Sequence, residues 1–204
     1  MGRLIVQEFV TADGFAANAN NEFTAYEMLK GGTAEFDRSQ SAWLDTVDAM
    51  VLGASTYRMF AEFWPTLASE GEIIAPALNA LRRFVFSRTL KNAPWGDYPE
   101  AAVESGDAVA AIRRIKGEFG GTIVLWGSLT LSEAFFDAGE VDGVRLVVMP
   151  VAIGAGRGVF PSGRDPLLLT LLGAKTYDAG LVELEYSVGS GGPRPRPERS
   201  GSAR

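Results

Sequence analysis

The sequence predicts an α/β protein with a central, mostly parallel β-sheet, helices on both faces and an antiparallel C-terminal edge. Apolar strand-like runs alternate with helix-like segments through most of the chain, and this alternation is typical of parallel sheets. The chain then continues into two strand-like segments separated by Ala179-Gly180, which predicts a terminal hairpin. Three predicted strands end in small-residue turns, which places candidate ligand-binding groups at the carboxyl edge of the sheet.

The first half of the chain begins the alternation. Leu4–Val10 has the pattern of a strand, and Asp13 with Gly14 predicts the turn that follows it. The Ala- and Asn-rich residues 16–22 are predicted as a loop, and helical spacing of apolar residues predicts a helix over Thr33–Val47. The next predicted elements are a strand at Met50–Gly53, a helix at Ser55–Phe63, a short helix at Pro76–Leu81 and a strand at Arg83–Phe86.

The second half completes one predicted domain over residues 1–188. Apolar residues on one side of Asp107–Phe119 and cations on the other predict an amphipathic helix. Residues 189–204 are rich in Gly, Pro, Arg and Ser and are predicted as a disordered tail. The other predicted elements are strands at Ala101–Glu104, Thr122–Trp126 and Val144–Pro150, a helix at Leu129–Ala138, a loop at Val151–Phe160, and hairpin strands at Lys175–Asp178 and Leu181–Val188.

The composition excludes several classes of chemistry. The 204 residues include no Cys and no His, so thiol nucleophiles, disulfides, histidine bases and His- or Cys-ligated metal sites are excluded. The formal net charge of -6 argues against a nucleic-acid partner. No apolar run approaches the roughly 20 residues of a membrane-spanning helix, and the N-terminus has no signal-peptide pattern. We therefore expect a cytoplasmic protein that binds a small molecule, with no membrane partner and no metal.

The three strand-end turns carry the candidate binding groups. Gly53-Ala54-Ser55-Thr56 offers backbone amides and two hydroxyls at a predicted helix N-terminus, which suits an anion as well as an ordinary helix cap. Ser87-Arg88-Thr89 adds a guanidinium that suits phosphate, or is a solvated loop. Gly127-Ser128 allows a ligand to approach the backbone closely, or is a tight turn whose serine caps the next helix.

Three further features have more than one interpretation. Asp37 near the start of a predicted helix suits a dipole-stabilised first-turn carboxylate, or in a cleft it would anchor a cationic or amide-like heterocycle. Glu8 alternates with apolar neighbours in the first strand, so it is either solvated or points into a cleft. The glycine-rich run 154–158 looks like a dinucleotide fingerprint, but no apolar helix follows it, and we predict a loop that lines a cleft.

Five segments, taken in order, resemble the dihydrofolate reductase-like superfamily, and more closely its RibD C-terminal branch, the reductase domain of riboflavin biosynthesis. The segments are Thr11–Phe15, Asp48–Tyr57, Phe86–Thr89, Val124–Ser128 and Val141–Phe160. The resemblance implies a three-layer αβα dihydrofolate reductase-like fold that binds NADPH, with NADH not excluded. It also implies a homodimer.

The resemblance implies roles for individual residues. Asp37 would be the catalytic carboxylate that grips a pterin-like ring, and Asp13 with Gly14 would lie over the nicotinamide. The residues implied to hold the adenosine phosphates are Gly53, Ala54, Ser55, Thr56, Ser87 and Arg88. Those implied to hold the pyrophosphate are Gly127, Ser128, Leu129 and Thr130.

The leading hypothesis is an NADPH-dependent oxidoreductase that reduces a small heterocyclic, pterin- or pyrimidine-like, or carbonyl substrate. Dihydrofolate itself is disfavoured, because the expected Trp-x-x-Pro pattern is replaced by Gly32-Thr33-Ala34-Glu35. Ala54 stands where dihydrofolate reductases usually have arginine, and Ser128 where a second glycine is common. These departures favour the alternative of a non-catalytic nucleotide-binding protein. A nucleotide-dependent transferase is the third hypothesis, although the chain has no Walker motif.

Overall fold

A computed structural model of the chain describes residues 1–22, 33–163 and 165–189. The predicted tail lies outside these residues except for Gly189. In chain order the strands are β1 (Arg3–Thr11), β2 (Phe15–Ala17), β3 (Val47–Gly53), β4 (Arg82–Phe86), β5 (Ala102–Glu104), β6 (Thr122–Trp126), β7 (Gly143–Met149), β8 (Arg157–Gly158), β9 (Leu169–Thr176) and β10 (Val182–Val188). The α-helices are α1 (Ala34–Leu44), α2 (Ala54–Phe63), α3 (Ala75–Ala80), α4 (Ala108–Glu118) and α5 (Leu129–Asp137).

Within the described ranges, eight strands form one sheet in the order β5-β4-β3-β6-β1-β7-β10-β9. The five pairs from β5 across to β7 are parallel, whereas β10 pairs antiparallel with both β7 and β9. The strands β2 and β8 form a separate antiparallel pair. The predicted fold class is confirmed: a mostly parallel central sheet with an antiparallel C-terminal edge.

Helices cover both faces of the sheet, and the pleat of β1 separates them. Leu4, Val6 and Val10 point to one face, where they join a buried apolar cluster with residues of α4 and α5. We call this the α5 face. On the opposite side, the α1 face, apolar residues of β3 and β6 pack in a second cluster with residues of α1, α2 and α3. The result is the three-layer arrangement that the sequence predicts.

Four element predictions are wrong in their extent. The predicted helix Thr33–Val47 ends at Leu44, because Thr46 closes a turn through its bond to the Trp43 carbonyl and Val47 already pairs with β6. The first hairpin strand begins at Leu169 rather than Lys175, since it pairs with β10 along its whole length. Both predicted loops contain a short strand, and β2 and β8 form only because the two loops meet each other.

The helices are short throughout the described ranges. The longest, α1 and α4, have 11 residues each. None of the described helices has the length and apolar character required to cross a membrane.

Candidate active site

Two of the predicted turns meet at the carboxyl edge of the sheet. Strand register places Leu52 opposite Trp126, so β3 and β6 end at the same level. A Cβ atom built on Gly53 would lie 2.3 Å from Ser128 Oγ, and one built on Gly127 would lie 2.5 Å from Thr56 Oγ1. The two turns therefore interlock, and each glycine leaves the space that a side chain of the other turn occupies.

Two helix N-termini face this contact without side-chain caps. Gly53 is the N-cap residue of α2 and Ser128 that of α5, and neither helix has a capping side-chain hydrogen bond or an acidic residue in its first turn. By contrast, α4 has a capping bond of 2.7 Å from the Ala110 amide to Asp107 Oδ1. The interpretation of Ser128 as a side-chain cap is wrong, because its side chain packs against Gly53 instead. The first amides of both helices remain able to bind an anion.

The third predicted turn is next to Gly53, because Phe86 pairs with Gly53 in the sheet. Ser87 serves the turn itself: its Oγ accepts bonds from the amides of Thr89 and Leu90, and its own amide donates to the Glu104 carbonyl. Arg88 is exposed and makes no ion pair with any described residue. Only Arg88 of this turn offers an uncommitted cation.

Asp13 connects the turn after β1 to the loop after β7. Its carboxylate accepts hydrogen bonds from Thr11 Oγ1 at 2.6 Å and from the amides of Ile153 and Gly154 at 3.1 and 2.7 Å. These bonds, led by the one from Thr11, lower the pKa of the carboxyl. Gly14 has a φ of +90°, and a Cβ built on it would meet no atom within 4 Å. Asp13 therefore fixes this turn to the amides of Ile153 and Gly154, while the space beside Gly14 is free of other atoms.

Asp37 lies in the first turn of α1 on the other face of β1. The helix is anchored beside it by Phe36, whose ring packs edge-on against Phe9 of β1 and against Tyr177. Partial burial raises the pKa of the Asp37 carboxyl, while the 2.8 Å bond from Thr33 Oγ1 and the charge of Arg38 lower it. Asp37 is thus a half-buried carboxylate beside the end of β1.

The loop that contains β8 closes one side of this region. Arg157 donates to Glu133 Oε2 at 2.8 Å and to Thr130 Oγ1 at 3.2 Å, which ties the loop to the first turns of α5. Together with Leu129, residues 156–162 line a groove of about 200 Å³. The glycine-rich run therefore lies at a cleft and is not a dinucleotide fingerprint.

Strand β1 extends past β6 at the carboxyl edge of the sheet. It pairs with β6 only as far as Gln7 opposite Trp126, but with β7 as far as Thr11 opposite Met149. Residues 8–11, about 13 Å of strand, thus have no strand partner on the β6 side. The Gly127 turn follows β6 beside this unpaired length of β1, and the Asp13–Gly14 turn follows the last residue of β1.

Two buried polar side chains on the α5 face lack partners among the described residues. Glu8 Oε1 and Ser132 Oγ make no hydrogen bond, although Glu8 is only 8% exposed and Ser132 is fully buried. Burial raises the pKa of Glu8 to about 8. The alternation of residues in β1 predicts that Glu8 is either solvated or points into a cleft. Nothing in the sequence marks Ser132, since a small residue on the buried side of a helix is ordinary.

Comparisons with known proteins are consistent with this architecture. Residues 3–182 match the family model described as the RibD C-terminal domain. The uncharacterized protein YyaP of Bacillus subtilis is 24% identical over 187 residues, covering 90% of this chain and 94% of that protein.

Two solved structures show the same fold at low identity. A Shewanella sp. PV-4 protein, linked by its name to riboflavin biosynthesis, superposes with a TM-score of 0.71 at 18% identity, over 92% of this chain and 99% of that one. The dihydrofolate reductase of Schistosoma mansoni superposes with a TM-score of 0.58 at 15% identity, over 92% and 98% of the two chains. At these identities the likeness establishes the fold and not the activity.

Proposed function

This chain belongs to the RibD C-terminal domain family, and on that premise we propose that it is an NADPH-dependent reductase of a small heterocyclic or carbonyl substrate. The observation that supports the proposal most strongly is the contact between Gly53 and Ser128, where two uncapped helix N-termini meet at the carboxyl edge of the sheet. In open α/β sheets, ligands bind beyond this edge, and helix N-termini bind phosphate.

The residues present fit a dinucleotide phosphate. The first amides of α2, at Ala54 to Thr56, would hold one phosphate, and those of α5, at Leu129 and Thr130, would hold the pyrophosphate. Arg88 would add a guanidinium for the 2′-phosphate, in place of the arginine that Ala54 replaces. Ser87 would act only by shaping the turn, because its hydroxyl is already bonded within it.

A flat ring would bind beside residues 8–11 of β1, which have no strand partner on the β6 side. It would lie next to the Gly127 turn and the Asp13–Gly14 turn. When bound, NADPH supplies the hydride. The chain would orient the ring, exclude water and hold the substrate on the α1 side. Asp37, the half-buried carboxylate there, would anchor an amidine- or amide-like edge of the substrate.

We also propose a second copy of the chain as a partner. β9 lies at the end of the sheet order, and Leu168, Leu171 and Leu172 at this edge are 53–55% exposed. An exposed apolar edge strand is a template for pairing with another strand. Sedimentation of the purified protein tests this proposal, and a Leu171→Lys/Leu172→Lys variant should convert a dimer to a monomer.

The first test of the function is a titration with NADPH and, in parallel, NADH, followed by cofactor fluorescence and thermal shift. At 100 times the dissociation constant, bound cofactor should add about 2.7 kcal/mol to the free energy of unfolding. Arg88→Ala should weaken NADPH by about tenfold, the worth of one charge-assisted bond, and leave NADH unchanged. Arg3→Ala, an exposed arginine at the opposite end of β1, is the matched control.

The second test separates a reductase from a binding protein. With a panel of pterin, pyrimidine and carbonyl substrates, Asp37→Asn should lower kcat/KM and leave the NADPH dissociation constant unchanged. Tight NADPH binding without oxidation by any substrate class would favour a non-catalytic nucleotide-binding protein, the function that Ala54 and Ser128 suggest. If neither cofactor binds, the reductase proposal is wrong.

A further inference from the structure

Glu8 and Ser132 are buried polar groups that the proposed phosphate and substrate sites do not use. Each has a side-chain oxygen that is inaccessible to solvent and has no hydrogen-bond partner in the described part of the chain. A buried oxygen without a partner costs about 1–3 kcal/mol. On the α5 face, a bound ligand would supply the hydrogen bonds that these two described groups lack.

The topology brings both groups to the same space. Glu8 is the first residue of β1 beyond its pairing with β6, so it lies level with the Gly127 turn. Its side chain points to the α5 face, as do those of Val6 and Val10. Because α5 connects two parallel strands, it runs back along the sheet from Ser128, and Ser132 lies about one helical turn from its start. Both groups therefore lie where β1 packs against the first turns of α5, at the level where β1 runs past β6.

We propose that the side chains of Glu8 and Ser132 bind the carboxamide of the cofactor's nicotinamide ring and so orient the ring. This inference rests on the proposed function and extends it to two residues that the resemblance does not assign.

The chemistry of the two groups is complementary to a primary amide. A neutral carboxyl has one O–H donor and one carbonyl acceptor, and an amide has a carbonyl acceptor and two N–H donors. The two groups can form a pair of parallel hydrogen bonds, and Ser132 Oγ can accept the remaining N–H. An ionised carboxylate would lose its donor and could no longer bind the amide carbonyl.

The state of Glu8 fits this role. Its pKa of about 8 keeps it neutral at pH 7, and burial is the cause. Most of the other charged groups on the surrounding elements pair with one another. Glu133 pairs with Arg157, Arg145 pairs with Glu183 on the α1 face, Lys116 pairs with Asp142 at the amino edge, and Arg113 pairs with Glu140. Asp13 is bonded to two loop amides, and Asp137 lies in the last turn of α5, beyond Ser132.

The test compares NADPH with 2′-phospho-ADP-ribose, which carries the same phosphates but no nicotinamide ring. Dissociation constants are measured on both sides of pH 8 for the intact protein, Glu8→Gln, Ser132→Ala and Glu62→Gln, an exposed control on α2. For the intact protein, the NADPH constant should rise about tenfold per pH unit once Glu8 ionises. In Glu8→Gln it should stay constant, because the amide cannot ionise. Ser132→Ala should weaken NADPH severalfold but keep the pH dependence.

The ring-free ligand and a spectroscopic readout make the outcomes distinguishable. The 2′-phospho-ADP-ribose constant should not respond to Glu8→Gln, and Glu62→Gln should behave like the intact protein. Infrared difference spectra at pH 7 should show a protonated-carboxyl band that shifts when NADPH binds and is lost in Glu8→Gln. If both ligands bind but the pH dependence survives Glu8→Gln, this inference fails and the proposed function stands. If neither ligand binds, both fail.

Discussion

Gln7 and Glu8 are neighbours on β1, but their side chains point to opposite faces and meet opposite surroundings. Gln7 Oε1 accepts hydrogen bonds from Arg145 at 3.0 Å and from Gln40 at 3.3 Å. Glu8, one residue later, has no partner in the described structure. Gln7 is thus bonded within the chain, whereas Glu8 Oε1 is open to a ligand; Arg145 Nε, which points to no proposed site, is also without a partner in the described structure. The two faces of β1 thus separate a structural polar network from a candidate binding group.

The network on the α1 face is almost fully bonded. Arg145, 1% exposed, donates to Glu183 at 2.5 Å and to Gln40 at 2.6 Å, and its guanidinium lies 4.1 Å from the centre of the Trp43 ring. The Tyr177 hydroxyl donates to Glu183 at 3.1 Å. These bonds connect β7, β10 and α1. They therefore hold the helix that carries Asp37, the carboxylate proposed to bind the substrate.

The largest expected effect comes from breaking this network. Arg145→Met should lower the free energy of unfolding by about 3–5 kcal/mol, because it leaves the Glu183 carboxylate buried without its cation. Urea titration of the purified variant at neutral pH measures the change. The double variant Arg145→Met/Glu183→Leu should recover most of the loss, since no charge then remains in this network. A single variant as stable as the parent would show that water reaches Glu183.

The next largest effect is the pH dependence of the free energy of unfolding that a buried Glu8 should cause. Its pKa is raised to about 8, so the folded protein keeps a proton that the unfolded chain releases near pH 4.5. The folded state therefore binds more protons between these values, and the free energy of unfolding should fall as pH rises through this window. The slope approaches about 1.4 kcal/mol per pH unit. Urea midpoints measured across the window give the slope directly.

Glu8→Gln is the control for this slope, because its side chain has nearly the same shape and cannot ionise. It should flatten most of the decline. Burial also raises the pKa of Asp37, so a smaller residual slope of the same sign is expected and should disappear in Asp37→Asn. A slope unchanged in Glu8→Gln would mean that Glu8 is ionised in the folded protein and that the contrast with Gln7 is wrong.

The sequence predicted the sheet, its antiparallel edge and the three turns, because these depend on local patterns of apolar and small residues. It did not predict β2 and β8, whose pairing is purely tertiary. The capping role suggested for Ser128 was wrong, since the space left by Gly53 lies 75 positions away in the chain. The network role of Arg145 was missed for a similar reason: its partners lie on α1, β1 and β10, and a lone arginine in a strand suggests exposure.

The smallest expected effect concerns the interlocked turns at the carboxyl edge. Gly53→Ala should destabilise the protein by about 1–3 kcal/mol, since its Cβ would meet Ser128 Oγ at 2.3 Å. In Ser128→Gly the obstructing atoms are removed, and the next contact, Ser128 Cα, is 3.8 Å away. Ser128 also has a φ of +54°, which glycine adopts more readily. Gly53→Ala should therefore cost little in the Ser128→Gly background.

A double-mutant cycle of these two positions should give a coupling energy of about 1–2 kcal/mol, as expected for side chains in direct contact. Additive effects would mean that the turns move apart without strain. The cycle also bears on ligand binding, because the same space lies between the two uncapped helix N-termini. If Ser128 only fills the gap left by Gly53, Ser128→Gly should leave NADPH affinity unchanged. If its hydroxyl contributes a hydrogen bond to phosphate, NADPH affinity should fall severalfold in Ser128→Gly while the free energy of unfolding is unchanged. The variant would then bind phosphate through the backbone amides alone, as a Gly-Gly turn does.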